Sequence, residues 1–418
     1  MDKKVKSKIF VALDIGTTKV CTIIASTSES GVDILGVGSH PSYGLKKGCV
    51  INIEQTVKSI RCSLEEAKLM SGISGIDYAT IGIAGNHIYS FNSSGVVATK
   101  NKEVTPEDVS RVLDAAKAVV IPSDREILHV LPQEFKVDNI GGIKDPVGMY
   151  GVRLESNVHV VTGQTTLIQN LIKCVEQAGI RTQDIILQPV ASSRSVLSEE
   201  EKELGVVLVD IGGGTTDIAI WKEGSLVCSQ IIPVGGSHFT NDLAVALKIS
   251  HNEAERIKIN HGSIIPEKIH DNHITVQSIS GMKPREVECR YVSKILEARA
   301  QELLKVIKEV TISSSMFSEM NAGFVITGGG ALIKDLIPFA EFNLEQPVRL
   351  GFPVTFGGMT NVMQDPKLST VLGLLLESVD QDLGEDNFEN KNINENESSE
   401  DIITRFSKSL RSVFREIF

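Results

Sequence analysis

Two rhythms of apolar residues alternate along the chain. Apolar runs at 9–13, 206–209 and 323–326 predict strands, 78–84 reads as a buried strand, and 33–39 and 184–187 read as further strands. Between them the period becomes helical. Val57, Ile60, Leu64, Ala67 and Met70 predict a helix over 53–70, with others expected over 167–178, 239–247, 251–260 and 290–317. Strands alternating with helices of this length indicate an α/β fold. A different texture interrupts at 86–161, where short alternating stretches at 87–91, 96–99, 134–137 and 158–162 surround one helix over 106–119. That pattern predicts a small α/β insert. A second half begins near Gly205, with a hairpin over 217–230 and the segment 231–236 leading into helices.

The pattern changes again at the end. Residues 377–401 are almost devoid of apolar side chains, and ten acidic residues against Lys391 give a net −9, so a disordered acidic linker is expected there. The next stretch, 402–418, carries +3. At about 100° per residue, Ile402, Ile403, Phe406, Leu410, Val413, Phe414 and Ile417 share one arc of roughly 120°. Lys408, Arg411 and Arg415 face away from it, and Phe418 closes the chain. A basic face opposite an apolar, aromatic-containing stripe suits a helix lying in an anionic membrane surface. A helix docked back on the core is the alternative, which the long tether disfavours.

Composition narrows the picture further. A chain of 418 residues exceeds one ordinary domain. Outside the two terminal segments about −5 of the total −11 remains, which argues against nucleic acid as a main partner. The six cysteines (Cys21, Cys49, Cys62, Cys174, Cys228 and Cys289) include no C-x-x-C pair, so neither a disulfide framework nor a thiolate metal site is expected. Lys3, Lys4, Lys6 and Lys8 precede an apolar run too short for a signal peptide. No stretch approaches the roughly 20 apolar residues that span a bilayer.

The candidate chemistry lies in a near-repeat. Asp14-Ile-Gly-Thr-Thr-Lys19 and Asp210-Ile-Gly-Gly-Gly-Thr-Thr-Asp217 each follow an apolar strand and predict tight hairpins. Glycines let backbone N–H groups approach phosphate oxygens, threonine hydroxyls add donors, and Asp14 and Asp210 at the strand ends are placed to hold the waters of a Mg²⁺ ion. One such loop is an ordinary turn; two facing each other make a nucleotide clamp. A third run, Thr327-Gly-Gly-Gly330, leads into an expected helix start over 331–337, and its backbone can lie against an adenine or ribose ring.

This order of loops resembles the superfamily of sugar kinases, 70-kDa heat-shock chaperones and actin. The resemblance implies an actin-like, two-lobed α/β fold closing over ATP. Further stretches narrow it: Gly44-Leu-Lys-Lys-Gly48 with Asn52-Ile-Glu54, Arg125-Glu-Ile-Leu-His-Val-Leu-Pro-Gln-Glu-Phe135, Asp145-Pro-Val-Gly-Met149 with Gly151-Val-Arg-Leu-Glu155, Leu187-Gln-Pro-Val-Ala-Ser-Ser193, and the ending Phe414-Arg-Glu-Ile-Phe418. Together they resemble FtsA, a family of actin-like bacterial cell-division proteins. Departures fall at 296–299, where that family usually has proline, and at 138–142, which lacks a commonly seen Gly-Gln.

What the resemblance implies is specific. Phosphates would be held by Gly16, Thr17, Thr18 and Lys19 and by Gly212, Gly213, Gly214, Thr215 and Thr216. Gly235, Gly236, Glu255, Lys258, Gly328, Gly329 and Gly330 would surround ribose and adenine. Gln188 would orient the attacking water, with Asp14 and Asp210 as the other catalytic candidates. The first-lobe core would be 1–85, 162–200 and 340–376, with the insert at 86–161. The second-lobe core would be 201–231 and 301–339, with a small subdomain at 232–300, then the linker and the helix at 402–418. The implied role is an ATP- and Mg²⁺-binding filament protein, an ATPase activity being left open. Such a protein would tether FtsZ, whose C-terminal peptide binds 232–300, to the cytoplasmic face of the inner membrane and recruit later division proteins. A type IV pilus-type scaffold and a small-molecule kinase are the rival readings within the superfamily.

Overall fold

The computed structural model describes residues 8–28, 31–269, 272–277, 284–314, 316–354, 356–357 and 364–389, of which 383–389 as backbone alone. Each half is built on a five-stranded sheet, and the two sheets share one order. In the first, Arg181–Leu187, Tyr78–Ile83, Ile9–Ile15, Lys19–Ser28 and Gly31–Pro41 lie side by side. In the second, Val348–Leu350, Phe324–Thr327, Val206–Ile211, Thr216–Lys222 and Ser225–Ile232 repeat the arrangement. The three strands consecutive in sequence pair antiparallel, and the two later ones join parallel.

The central strands read as unbroken apolar runs because both faces are covered. Val11, Leu13 and Ile15 pack toward the helices Ile53–Ser71 and Thr165–Gln177, while Phe10 and Ala12 pack with the final helix Ser369–Glu389. The helix Ile53–Ser71 starts where the Asn52 side chain accepts from the Gln55 N–H and stops at Gly72 in the left-handed region, with φ 70°. The chain passes between the lobes along the helix Gln188–Val196, and after Val348–Leu350 in the second lobe the final helix Ser369–Glu389 packs on the first. In the second lobe the stretch 296–299 lies inside the unbroken helix Cys289–Ser313, where Arg299 binds Asp242 at 2.6 Å.

The insert is a four-stranded antiparallel sheet, ordered Tyr89–Ala98, Arg153–Gln164, Arg125–Val137 and Ile140–Ile143, with the helix Pro106–Lys117 on one face. That helix opens with a reciprocal cap between Thr105 and Asp108. Its strands are far longer than the short stretches expected from alternation. Bulges at Asn157/Val158 and Val161/Thr162 break the period of two, and Gly95 marks the close passage of the helix, since a Cβ there would stand 2.1 Å from the Val112 carbonyl oxygen.

Three expected boundaries are corrected. Residues 340–350 do not belong to the first lobe: the helix Leu336–Leu344 packs into the second-lobe core, and Val348–Leu350 pairs with Phe324–Thr327. The final helix continues to Glu389 instead of giving way to a linker at 377, because Ser378, Val379 and Asp382 are buried against the first lobe. The helix start expected over 331–337 is a short 3₁₀ turn, Gly329–Leu332, and the α-helix begins at Leu336.

Candidate functional site

The two hairpins are built alike. Asp14 lies opposite Cys21 and Asp210 opposite Asp217, and each turn is closed by the same bond: Gly16 N–H to the Lys19 carbonyl at 3.0 Å, Gly212 N–H to the Thr215 carbonyl at 2.9 Å. The turns meet. A Cβ on Gly213 would stand 2.4 Å from the Thr18 side chain, and one on Gly214 2.6 Å from the Thr17 hydroxyl. Behind the first turn, the Gly48 N–H donates to Thr17 at 3.3 Å.

The remaining predicted loops close round the second hairpin. Gly236 and Ser237 donate their N–H groups to the carbonyls of Gly212 and Gly213, both at 2.8 Å, and Gly235 passes close enough that a Cβ would lie 2.7 Å from the Gly212 carbonyl. Gly328 has φ 85° and passes so near Asp210 that a Cβ would collide with its carboxylate at 2.2 Å. Gly330 lies against Ile211, and Gly329 faces Lys367. Glu255 and Lys258 form an ion pair of 2.8 Å, and Lys258 also donates to the Gly236 carbonyl at 3.2 Å and to Thr240 at 2.9 Å. Burial raises the Glu255 carboxyl, but bonds from Lys258 and Thr240 bring it below its ordinary value. The Thr216 hydroxyl is engaged with the Val234 carbonyl, so it braces the loop from inside.

Carboxylates gather beneath the hairpins. Burial pushes Asp14 up to about 6, against the pull of Lys19 and with added repulsion from Asp210. Burial also raises Asp210, which accepts from Ser192 at 2.6 Å and Thr370 at 3.1 Å. Asp217 is raised well above its ordinary value by burial and by the neighbouring Asp210, and its Oδ1 is buried without a partner. Gln188 donates to Asp14 at 2.9 Å. Lys19, the cation of the group, donates to the Lys367 carbonyl at 2.7 Å.

The structure thus brings together the loop residues, Gln188 and both predicted aspartates. It adds Asp217, Ser192, Thr370 and Lys367. Asp217 closes the repeated motif and carried a signal; Ser192 follows Gln188 by one helical turn, and the other two come from a distant segment with no signal of their own. Three mutually repelling carboxylates, one with an orphaned oxygen, fit a divalent cation. No group of three His, Cys, Asp or Glu among the described residues is arranged to hold a metal ion. The amphipathic segment 402–418, including Ile403, Phe406, Lys408, Leu410, Arg411, Val413, Phe414, Arg415, Ile417 and Phe418, lies outside the described residues, and no described helix is long and apolar enough to cross a membrane.

Known proteins match this chain over most of its length. The family model described as "SHS2 domain inserted in FTSA" matches residues 85–162, and that of "Cell division protein FtsA" matches 207–373. Cell division protein FtsA of Pseudomonas aeruginosa is 45% identical over 371 residues, covering 88% of this chain and 89% of that protein. The Escherichia coli K12 protein of the same name is 37% identical over 384 residues, covering 90% and 91%. Among solved structures, a PilM–PilN type IV pilus biogenesis complex matches with TM-score 0.64 at 14% identity, over 88% of this chain and 98% of that one. MreB5 of Spiroplasma citri bound to ADP matches with TM-score 0.56 at 17% identity, over 92% and 99%. These likenesses make the fold actin-like.

Proposed function

The chain belongs to the FtsA family of cell-division proteins, and from that premise we propose that it binds ATP with Mg²⁺ and tethers FtsZ filaments to the cytoplasmic face of the inner membrane at the division site. The observation that carries the nucleotide reading is the meeting of two equal hairpins over a nest of raised carboxylates. The backbone N–H groups and hydroxyls of 16–19 and 212–215 take the phosphates, and Lys19 adds a positive charge. Asp14 and Asp210 hold Mg²⁺ through its waters with Asp217 behind them. A bound Mg²⁺ would supply neutralisation of the phosphate charge. Gln188, bonded to Asp14, orients an attacking water; an amide cannot act as a base, so its role is positioning. Gly235, Gly236, Glu255, Lys258 and 328–330 cradle the ribose and adenine. A solved MreB5 structure that this fold resembles is described as bound to ADP, which supports a nucleotide here.

The membrane part rests on the sequence of 402–418. Arg405, Lys408, Arg411 and Arg415 contribute about 1 kcal/mol each near an anionic leaflet. One short helix binds reversibly. Many copies on one filament bind by avidity, so polymerisation and membrane residence are coupled. The small subdomain 232–300 takes the FtsZ C-terminal peptide, and the insert recruits later division proteins.

Two measurements test this reading. ATP or ADP with Mg²⁺ at about 100 times Kd should stabilise the folded chain by about 2.7 kcal/mol, and no thermal shift would refute the nucleotide site. Co-sedimentation with anionic vesicles should require 402–418 and increase with ATP and FtsZ. Phe414→Glu, which puts a carboxylate into the acyl boundary, should keep the protein in solution with ATP affinity unchanged. Equal pelleting of the chain lacking 402–418 would refute the tether.

A further inference from the structure

The insert is covalently part of the first lobe, yet its strands also reach the second. They do so chiefly along the outer edge strand Ser225–Ile232 and the turn that precedes it. Ser90 donates to the Ser229 carbonyl at 2.6 Å, Asn92 to the Val227 carbonyl at 3.1 Å, and Gln133 to the Leu226 carbonyl at 3.0 Å. In return the Ser225 hydroxyl donates to the Gln133 carbonyl at 2.8 Å. Lys144 donates to Ser225 at 2.7 Å and to the Glu223 carbonyl. His159, buried in the insert, bridges Asn92 at 2.7 Å and the Ser229 hydroxyl at 2.8 Å.

The two attachments of the insert differ in kind. Toward the first lobe it is rooted by buried apolar side chains, Leu128 and Val161 in the same core as Ile168 and Leu187, and by the Leu187 N–H donating to His129 at 3.0 Å. Toward the second lobe the contact is mainly side chain to backbone carbonyl, with Leu131 and Ile231 as its apolar part. Such polar interfaces separate more readily than apolar cores. Ser225–Ile232 also runs straight into the nucleotide loops: Ile232 pairs with Thr216, Val234 accepts from Thr216, and Gly235 and Gly236 then pass under Gly212 and Gly213.

We propose that the insert is a clasp on the second lobe, whose side-chain bonds to the edge strand Ser225–Ile232 hold the cleft closed and retard nucleotide exchange. Because these bonds join the insert to the second lobe, any opening that separates Ser225–Ile232 from the insert has to break them. Whatever displaces the insert would then speed exchange.

The inference rests on the nucleotide reading above, and release of a fluorescent ADP in stopped flow tests both. Asn92→Ala/Gln133→Ala removes two bonds across the clasp and should speed release about tenfold, with association also faster. Lys144→Met, which alters only a peripheral side chain, should speed it about threefold. Lys100→Ala, on the insert surface and bonded to Glu107, should leave release unchanged. Should the wild-type chain bind no nucleotide, the reading of the site fails, and the clasp as a control of exchange fails with it. Should it bind but release nucleotide equally fast in folded Asn92→Ala/Gln133→Ala and Lys144→Met, the clasp is refuted while the site stands.

Discussion

The two glycine-containing hairpins have the same length, the same closing hydrogen bond and the same aspartate–isoleucine–glycine entry, yet they carry different chemistry. Where the first carries Thr17 and Thr18, the second carries Gly213 and Gly214, and the side chains of one occupy the space left by the other. Where the first has Lys19 the second has Thr215, and opposite Asp14 stands a neutral buried Cys21 whereas opposite Asp210 stands Asp217. The shape is shared. The residues make the first hairpin the one with filling side chains and a cation, and the second the one with open backbone and surplus negative charge. An anionic ligand and a divalent cation need both kinds of surface.

The largest effect should follow from spoiling the open backbone. Gly213→Asp places a Cβ 2.4 Å from Thr18 and a carboxylate against the phosphates, so ATP binding should be lost, more than about 100-fold by titration of the folded variant. Undiminished affinity would mean that the hairpins do not hold the γ-phosphate between them.

Next in size is Cys21→Asp, which gives the first hairpin the second one's residue. Cys21 is fully buried, and burial keeps its thiol neutral, raised to about 11. A carboxylate there adds a further charge beside Asp14 without a partner, and should cost about 3 to 5 kcal/mol in denaturant unfolding. A cost under 1 kcal/mol would show that the two positions are interchangeable.

The reverse exchange, Asp217→Cys, should act through pH. A carboxylate whose folded value lies above its unfolded one favours the folded state while protonated and withdraws that stability as pH rises through the window between the two. For Asp14 that window runs from about 4 to about 6, and the Asp217 carboxyl, raised by burial and by the neighbouring Asp210, shifts stability in the same direction. The nucleotide-free chain should therefore lose Tm with rising pH, and Asp217→Cys should flatten the decline while weakening the Mg²⁺-dependent part of ATP binding. An unchanged Tm–pH profile would remove Asp217 from the cluster.

Much of this was legible in the sequence for physical reasons, and the gaps have physical reasons too. Strands covered on both faces, such as Ile9–Ile15 and Val206–Ile211, announce themselves as apolar runs. The insert strands do not, because one face is half-exposed and bulges shift their period. Val348–Leu350 is too short for any pattern, and its place in the second sheet is set by the partner strand Phe324–Thr327. The acidic continuation of the final helix reads as disordered because polar bonds dock it: Asp380 to Arg194 at 2.9 Å, Gln381 to Asp184 at 2.6 Å, and Asp382 to Lys8. In the site, glycine loops are readable since their composition follows from close backbone approach. Ser192 and Thr370 are common residues whose importance lies only in facing Asp210.

The smallest expected effect probes the fit of the two turns most directly. If Thr18 fills the space that Gly213 leaves, Gly213→Ala should overpack the contact and cost about 1 to 2 kcal/mol, seen as roughly tenfold weaker ATP binding. Thr18→Gly alone should lose a hydroxyl donor and some stiffness, a change of about threefold. Thr18 is β-branched, and its Cβ itself lies 2.9 Å from the added methyl, so rotating the side chain does not relieve the clash. Removing it does. The double variant Gly213→Ala/Thr18→Gly should therefore bind ATP better than Gly213→Ala alone, with a coupling of about 1 kcal/mol in a double-mutant cycle. Strictly additive losses would mean that the turns lie side by side without filling each other, and the division of roles between the hairpins would then reduce to charge alone.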